Sequence, residues 1–484
     1  NLFGHYVGEL IDSVRRVDLE RAFDSVPGLL TAGSVILPYL FGYRYLVRDR
    51  DGAEELVARL GFGYQDEIPP KVAVFNDTAH DINGLNIGLR RLIREMRAAG
   101  HRVELVACGE PYHGFERDEL EREGGVKRLE AVGEFALPAY EEMRMGIPSL
   151  VDVMEYFADE NISVVQLSTP GPLGLVGLLA AKLMGIRAVG YYHTEIARFA
   201  GRITGDDTVE ALTNGYTSLF YRQLDAVGVA SEAAAESVRA QGVDDARIRV
   251  LPRGADLARF GPRHRDRETW RSLGLDPSRP VILYVGRVSR EKGIDVLVEA
   301  HRRLAERGGD AQLAVVGDGP YLEELRARET RDGVVFPGYL RGEELARVYA
   351  SADVFAFPSE HDTFGIAVVE AHASGLPAVV VDRGGPAEQI TDGEDGFITP
   401  TGDAEAMADA VARLLADPAL RSRLGAAGAR RVRRLSYPAA AESQWRMYMD
   451  VWGREPRGTG RVGGRRAAGG FARVAAAFRA RQEF

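Results

Sequence analysis

The chain has 484 residues, 45% hydrophobic and 27% charged, with a formal net charge of -10; these values are typical of a soluble globular protein too long for one domain core. The acidic balance argues against nucleic acid as the main partner. No apolar run reaches about 18 residues, so we expect no membrane-spanning helix. The single cysteine, Cys108, excludes an internal disulfide and favours a reducing, cytoplasmic location.

The first part of the chain changes character near residue 69. Residues 1–68 place apolar side chains at helical spacing and predict a helical N-terminal extension, which the prolines at 69 and 70 end. From 69 to 258, buried-strand runs such as Lys71–Phe75 alternate with amphipathic helices. This alternation predicts a parallel doubly wound sheet, and hence a first Rossmann-like domain of α/β class.

The same alternation restarts in the second half of the chain. It predicts a second Rossmann-like domain over residues 259–435, and residues 436–453 predict a C-terminal helix that packs back toward the first domain. Residues 454–484 carry eight arginines against two glutamates, so we expect a basic, disordered tail. Its apolar positions permit a peripheral contact with an anionic membrane, and a solvated tail without a partner is the alternative.

The most informative segment runs from Asp362 to Glu370. Between these two acids lies Gly365, which precedes an apolar run with the character of a buried helix. Glycine lets the backbone approach a ligand, and the amide groups of a helix start bind phosphate or another anion. Two carboxylates beside such a start can hold sugar or ribose hydroxyls, so the segment predicts a site for a nucleotide-sugar diphosphate.

Several motifs together resemble one family. The chain is similar to the retaining, nucleotide-sugar-dependent glycosyltransferases of family 4, which have the GT-B fold, over about residues 71–452. The motifs that carry this resemblance are NGL at 83–85, YHT at 192–194, LPRGAD at 251–256, VGRVSREKG at 285–293, VGDGP at 316–320 and DTFGIAVVE at 362–370. The resemblance implies two Rossmann-like domains facing across a cleft, with the acceptor on the first and the sugar nucleotide on the second.

The resemblance also implies residues that bind the donor. Arg287 and Lys292 are expected to grip the diphosphate, and Gly84 to lie beneath it from the first domain. Gly338 and Tyr339 are expected to border the base. Backbone amides near the helix start are expected to face phosphate or sugar oxygens, at Phe364, Gly365, Ile366 and Ala367. The turn at 384–386 with Glu388 either covers the nucleotide or forms a simple loop.

Three side chains are expected to act near the reacting sugar. By resemblance, His193 bonds a donor hydroxyl and eases positive charge at the anomeric carbon, Glu370 accepts the ribose hydroxyls, and Asp362 contacts the transferred sugar. The family pattern has glutamate at the first acidic position, and the aspartate here is one methylene shorter. Glu360 is a neighbour that can share its role.

The resemblance implies transfer of a hexose from a UDP- or GDP-linked donor to an acceptor hydroxyl, with retained configuration and no metal or other cofactor. The segment at 136–148 resembles lipid-glycosylating members, including mannosyl- and sulfoquinovosyl-transferases. A glycolipid or cell-envelope acceptor and a location at the inner membrane face are therefore expected. The alternatives are a sugar-nucleotide epimerase of the same fold and a catalytically silent nucleotide-sugar-binding module.

Overall fold

A computed structural model describes residues 69–79, 84–109, 119–137, 140–193, 196, 201, 205–251 and 253–453. The extension predicted for 1–68 and the tail predicted for 454–484 lie outside the described residues. The described chain divides into two compact units. The first holds residues up to Gly228, Val238–Arg249 and those from Ala441 onward; the second holds Val229–Ser237 and Val250–Ala440.

The first unit is built on a seven-stranded sheet in the order β3-β2-β1-β6-β7-β8-β9, beside a two-stranded antiparallel ribbon, β4-β5. Its strands are β1 Lys71–Phe75, β2 Arg102–Cys108, β3 Val126–Leu129, β4 Ala131–Leu137, β5 Tyr140–Pro148, β6 Ile162–Leu167, β7 Arg187–Tyr192, β8 Ala226–Val229 and β9 Ile248–Val250. The helices here are α1 Gly84–Ala98, α2 Glu119–Arg122, α3 Leu150–Asp159, α4 Pro172–Met184 and α5 Asp207–Arg222, and α6 Glu232–Ala240 passes from the second unit into the first.

The second unit is built on a six-stranded parallel sheet in the order β12-β11-β10-β13-β14-β15. Its strands are β10 Val281–Val285, β11 Gln312–Val316, β12 Val334–Gly338, β13 Val354–Phe357, β14 Ala378–Val381 and β15 Gly396–Thr399. The helices that follow α6 along the chain are α7 Glu268–Ser272, α8 Ile294–Glu306, α9 Leu322–Arg328, α10 Gly342–Ser351, α11 Ile366–Ala373, α12 Gly385–Glu388, α13 Ala404–Ala416, α14 Pro418–Arg431 and α15 Tyr437–Trp452.

Both sheets have the apolar strands of a doubly wound fold. Every residue of Ala226–Val229 in the first sheet is buried, as is every residue of Val354–Phe357 in the second. Strands buried on both faces read as continuous apolar runs because helices cover each side of a parallel sheet. The prediction of two Rossmann-like domains is therefore confirmed.

The order of the second sheet decides where its loops can meet a ligand. β10 lies between β11 and β13 in the sheet. From β10 the chain first moves to one side, to β11 and β12, and then crosses to the other side, to β13. Loops at the carboxyl ends of such a switch point diverge and leave a crevice, which is where doubly wound sheets bind ligands. The loops that carry Lys292 and Asp362 follow β10 and β13, on the two sides of this point.

Helix α15 returns the end of the described chain to the first unit. The Tyr448 hydroxyl donates to Gln166 Oε1 at 2.7 Å, and the rings of Trp445 and His101 stack with centroids 4.1 Å apart. Buried polar side chains with satisfied hydrogen bonds fix how a helix docks. Within the described residues, no helix is both long and apolar enough to cross a membrane.

Candidate active site

The loops after β10 and β11 pack backbone against backbone. Gly286 N donates to Val316 O at 3.0 Å, and Val288 N donates to Asp318 O at 2.9 Å. A Cβ on Gly317, whose φ is +140°, would lie 1.8 Å from the Gly286 carbonyl oxygen. Only glycine fits there, so the VGDGP motif shapes the loop that presents Arg287.

A cation from the β10 side meets an acid from the β13 side. Lys292 Nζ donates to Asp362 Oδ2 at 2.9 Å, and the two side chains are 17% and 27% exposed. Lys292 ends a 3-10 turn, Arg290–Lys292, after which Gly293 at φ +67° lies against the Pro358 carbonyl. Arg287 lies on the same loop with an exposed side chain. The structure thus brings together Lys292 and Asp362, which the sequence assigned to one site.

Glu370 lies on α11 with its carboxylate held by a buried tyrosine. The Tyr349 hydroxyl donates to Glu370 Oε2 at 2.9 Å. Burial raises the pKa of Glu370 to about 7, an effect that the Tyr349 hydrogen bond and the charge of Arg259 oppose and Asp256 adds to. A carboxyl group in such surroundings exchanges a proton near neutral pH, a feature that clusters at functional sites.

The start of α11 offers amide groups to an anion. Gly365 is its N-terminal cap residue at φ +83°, and a Cβ there would lie 3.0 Å from Pro386. The first amides of any α-helix lack carbonyl partners in the helix and carry the positive end of its dipole; in α11 these belong to Ile366 and Ala367. The side chain of Phe364 is 2% exposed and packs with Val369 in a core cluster, so only its backbone is available to a ligand.

The turn at 384–388 packs on the same loop. Gly385 N donates to Asp362 O at 2.8 Å, and a Cβ on Gly385 would lie 2.4 Å from the Thr363 carbonyl carbon. The Glu388 carboxylate accepts from backbone amides at the start of α6. The turn therefore packs against the loop at 362–363 and its glutamate binds the start of α6, while a role of the turn in covering the nucleotide stays a prediction.

The end of β12 is a second candidate edge of the site. Gly338 has φ +84°, and its carbonyl oxygen accepts from Gly317 N at 2.9 Å. Tyr339 is 56% exposed, and the Arg341 guanidinium lies 4.9 Å from its ring centroid. An exposed aromatic ring beside glycine suits stacking on a base, and the role of Gly338 stays a prediction.

The two remaining predicted residues belong to the first unit. Gly84 begins α1, which follows β1, and His193 directly follows β7. His193 is half-buried, with its ring stacked on Tyr191 at a centroid distance of 4.4 Å. Both positions follow strands at the carboxyl edge of the first sheet, and their part in donor binding stays a prediction.

Two known protein families match the chain. Glycosyltransferase Family 4 matches residues 82–259, and Glycosyl transferases group 1 matches residues 266–431. A GDP-mannose-dependent alpha-mannosyltransferase of Mycobacterium tuberculosis is 33% identical over 77% of this chain and 94% of its own. This chain belongs to glycosyltransferase family 4.

Other relatives agree with this assignment. A GDP-mannose-dependent alpha-(1-6)-phosphatidylinositol monomannoside mannosyltransferase of Mycolicibacterium smegmatis is 34% identical over 56% of this chain and 72% of its own. The structure of sucrose-phosphate synthase from Thermosynechococcus elongatus matches with a TM-score of 0.64 and 25% identity, over 79% of this chain and 99% of that one. The GT-B fold and the glycosyltransferase class are therefore confirmed. Neither the epimerase nor the silent-module alternative finds support in these matches.

The site of this family 4 glycosyltransferase includes residues that the sequence argument did not single out. Tyr349 bonds Glu370 from α10, and the charges of Arg259 and Asp256 act on the pKa of Glu370 in opposite directions. Asp256 lies in the LPRGAD motif, to which the sequence alone assigns no role. The sequence offered no comparable signal for Tyr349, because its spacing of 21 residues from Glu370 follows no helix or strand period.

Proposed function

We propose that this enzyme transfers mannose from GDP-mannose to a hydroxyl of a lipid-linked acceptor, with retention of the α configuration. The observation that carries the donor site is the Lys292–Asp362 pair beside the N-terminus of α11, at the switch point of the second sheet. The names of the mannosyltransferase relatives support GDP-mannose over other donors and, in one case, a phosphatidylinositol-linked acceptor.

In this proposal the diphosphate is neutralised by side chains and amides. Its negative charge sits at the start of α11, and the ammonium group of Lys292 and the guanidinium of Arg287 bond its oxygens. Lys292 is held by Asp362 beforehand, so binding exchanges one anionic partner of Lys292 for another and leaves Asp362 able to accept a hydroxyl of mannose. This pre-placement lowers the cost of ordering a long side chain on binding.

The carboxylate of Glu370 accepts hydrogen bonds from the ribose hydroxyls, while Tyr349 fixes its orientation. In the transfer step the bond between the anomeric carbon and the β-phosphate oxygen breaks on the face where the acceptor oxygen attaches. The acceptor's proton passes to the departing phosphate, which leaves as GDP. The product keeps the α configuration because both events take place on one face of the sugar.

The donor is tested with purified full-length protein and a panel of GDP-mannose, UDP-glucose, UDP-galactose and UDP-N-acetylglucosamine. We expect release of GDP from GDP-mannose to exceed nucleotide release from each other donor. Faster turnover of a UDP-sugar would overturn the donor assignment and leave the family assignment intact.

The acceptor is tested with GDP-mannose and either phosphatidylinositol glycolipids in mixed micelles or free inositol and monosaccharides. We expect a lipid product heavier by one hexose, with an α signal in the proton NMR spectrum. Products formed only on water-soluble acceptors would refute the lipid-linked acceptor, and a β signal would refute retention.

We further propose peripheral contact with anionic membranes through the basic residues beyond 453. The test is flotation of the full chain, and of a chain that ends at Gly453, with phosphatidylglycerol vesicles at low salt. We expect only the full chain to float with the vesicles, and equal behaviour of the two would refute a role for these residues.

A further inference from the structure

The loop that carries Asp362 is tied to the start of α6 by two side chains outside the predicted donor set. One is Ser231, immediately before α6, and the other is Glu388, at the end of α12. Val229–Ser237 belongs to the second unit although it lies in sequence between two stretches of the first. This short piece of chain thus becomes part of the framework behind the donor loop.

Glu388 binds the first two amides of α6. Its Oε2 accepts from Glu232 N at 2.8 Å and its Oε1 from Ala233 N at 2.7 Å. Both carboxylate oxygens are therefore occupied by a helix start, where a negative charge also meets the positive end of the dipole. The backbone of Glu388 is anchored in turn, because Arg431 Nη2 donates to its carbonyl oxygen at 2.9 Å.

Ser231 reaches the donor loop directly. It is 1% exposed, and its hydroxyl donates to Thr363 O at 2.6 Å while Ser231 Oγ accepts from Ala234 N at 3.2 Å. The hydroxyl thus serves as a helix cap and as a loop tether at once. A capping residue needs only to accept; the bond that Ser231 donates to Thr363 has no role in stabilising α6.

The position of the tether matters because Thr363 stands beside every donor-binding feature of this loop. Asp362 precedes it, and Phe364 and Gly365 lead from it into α11. Glycine adopts left-handed and right-handed backbone conformations about equally, so Gly365 at φ +83° does not by itself hold the loop in this shape. The Gly385 amide on the Asp362 carbonyl links the loop to the turn that carries Glu388.

We propose that Ser231 and Glu388 are positioning residues of the transferase, which clamp the Thr363–Gly365 loop so that Asp362 and the α11 amides are placed for the donor. The proposal rests on the donor site proposed above. It requires that loss of the clamp weakens donor binding through the loop, and not only through a less stable α6.

The test compares clamp variants with a variant that loses a helix cap elsewhere. Ser231→Ala removes the tether to Thr363. Glu388→Ala removes both carboxylate acceptors, and Glu388→Gln removes one of them. Asp403→Ala is the matched control, since Asp403 caps α13 by accepting from Ala406 N at 2.9 Å. Each full-length protein is measured for thermal unfolding, for amide hydrogen exchange over residues 363–367, and for kcat and KM with GDP-mannose.

We expect Ser231→Ala and Glu388→Ala each to raise donor KM on the order of tenfold, an effect of the size of one intramolecular hydrogen bond. Exchange over 363–367 should accelerate in both, and Glu388→Gln, which keeps one acceptor, should recover part of each effect. Asp403→Ala should lower the melting temperature and change neither donor KM nor exchange in that loop.

Unchanged exchange over 363–367 in both clamp variants would overturn the proposal whatever the donor is, because that measurement needs no ligand. Faster exchange with unchanged donor KM would also overturn it. If the wild-type protein turns over no sugar nucleotide, the proposed function fails by itself, while the exchange data still decide whether the clamp exists.

Discussion

Glu370→Gln should stabilise the protein at alkaline pH while it damages the reaction. Burial raises the pKa of Glu370 from 4.5 to about 7 in the folded protein. Since a shift of one pKa unit corresponds to about 1.36 kcal/mol, ionising Glu370 costs about 3 kcal/mol more in the folded state than in the unfolded state. Because the folded protein binds the proton more tightly, this contribution to stability is fully present below pH 4.5 and is lost as the pH rises through 7.

Glutamine carries no charge, and its amide oxygen can still accept the Tyr349 hydrogen bond. We therefore expect the free energy of unfolding of Glu370→Gln to exceed that of the wild type by less than about 1 kcal/mol at pH 5 and by about 3 kcal/mol at pH 8. Urea denaturation at both pH values measures the difference. Donor-dependent turnover should fall sharply, because an amide is a weaker acceptor for ribose hydroxyls than a carboxylate.

The matched control is Glu344→Gln, at an exposed position of α10, the helix that carries Tyr349. It should change neither the pH dependence of unfolding nor the turnover. A Glu370→Gln protein with the same change in stability at pH 5 and pH 8 would refute the argument from burial. Full activity would refute the ribose contact.

Three other substitutions test the donor site and the stability of the fold. Lys292→Ala should weaken binding of GDP, measured by calorimetry, by about 1.5–3 kcal/mol, since it removes a charged partner of the phosphate; unchanged affinity would remove Lys292 from the site. Gly365→Ala should lower stability by about 1–2 kcal/mol and raise donor KM, because its φ of +83° strains an L side chain; a neutral result would show that the loop relaxes freely. Burial alone would raise the pKa of Asp353, but the Val281 amide and the Arg267 guanidinium lower it overall. The ionised Asp353 therefore stabilises the folded protein above about pH 4, and this contribution is lost as the pH falls. In urea, Asp353→Asn should have a lower free energy of unfolding at pH 7 and should lose less stability than the wild type as the pH falls below about 4. An equal loss in the two proteins would contradict this.

Most elements of the two sheets could be predicted because their strands carry their own signal. Lys71–Phe75 and Gln312–Val316 are short apolar runs bounded by turn residues, and burial on both faces makes such runs readable. The ribbon β4-β5 was not predicted as strands. Its residues at 136–148 were interpreted only as a lipid-acceptor resemblance, because neither AVGEFAL at 131–137 nor YEEMRMGIP at 140–148 is a short run of β-branched apolar residues bounded by turn residues.

The donor site was predicted as a set of residues and not as a set of contacts. Asp362 was expected on the sugar and Lys292 on the diphosphate, whereas the structure pairs them across 70 positions of sequence. Glu388 was placed in a turn over the nucleotide or in a simple loop, and the structure shows it capping α6. Side-chain pairing between loops depends on which strands become neighbours, and that information is absent from local spacing.

By itself the sequence determined the alternation of strand and helix in two domains, the glycines that permit close backbone approach, and the charged residues of the predicted donor site. These features are local: each depends on residues a few positions apart and on the burial pattern of a single element. Only the tertiary structure decided that β10 and β13 lie side by side, which brings Lys292 to Asp362 and lets Tyr349 hold Glu370 in surroundings that raise its pKa. The reason is that a carboxylate's proton affinity and a cation's partner depend on every group packed around them, and packing is a property of the whole fold.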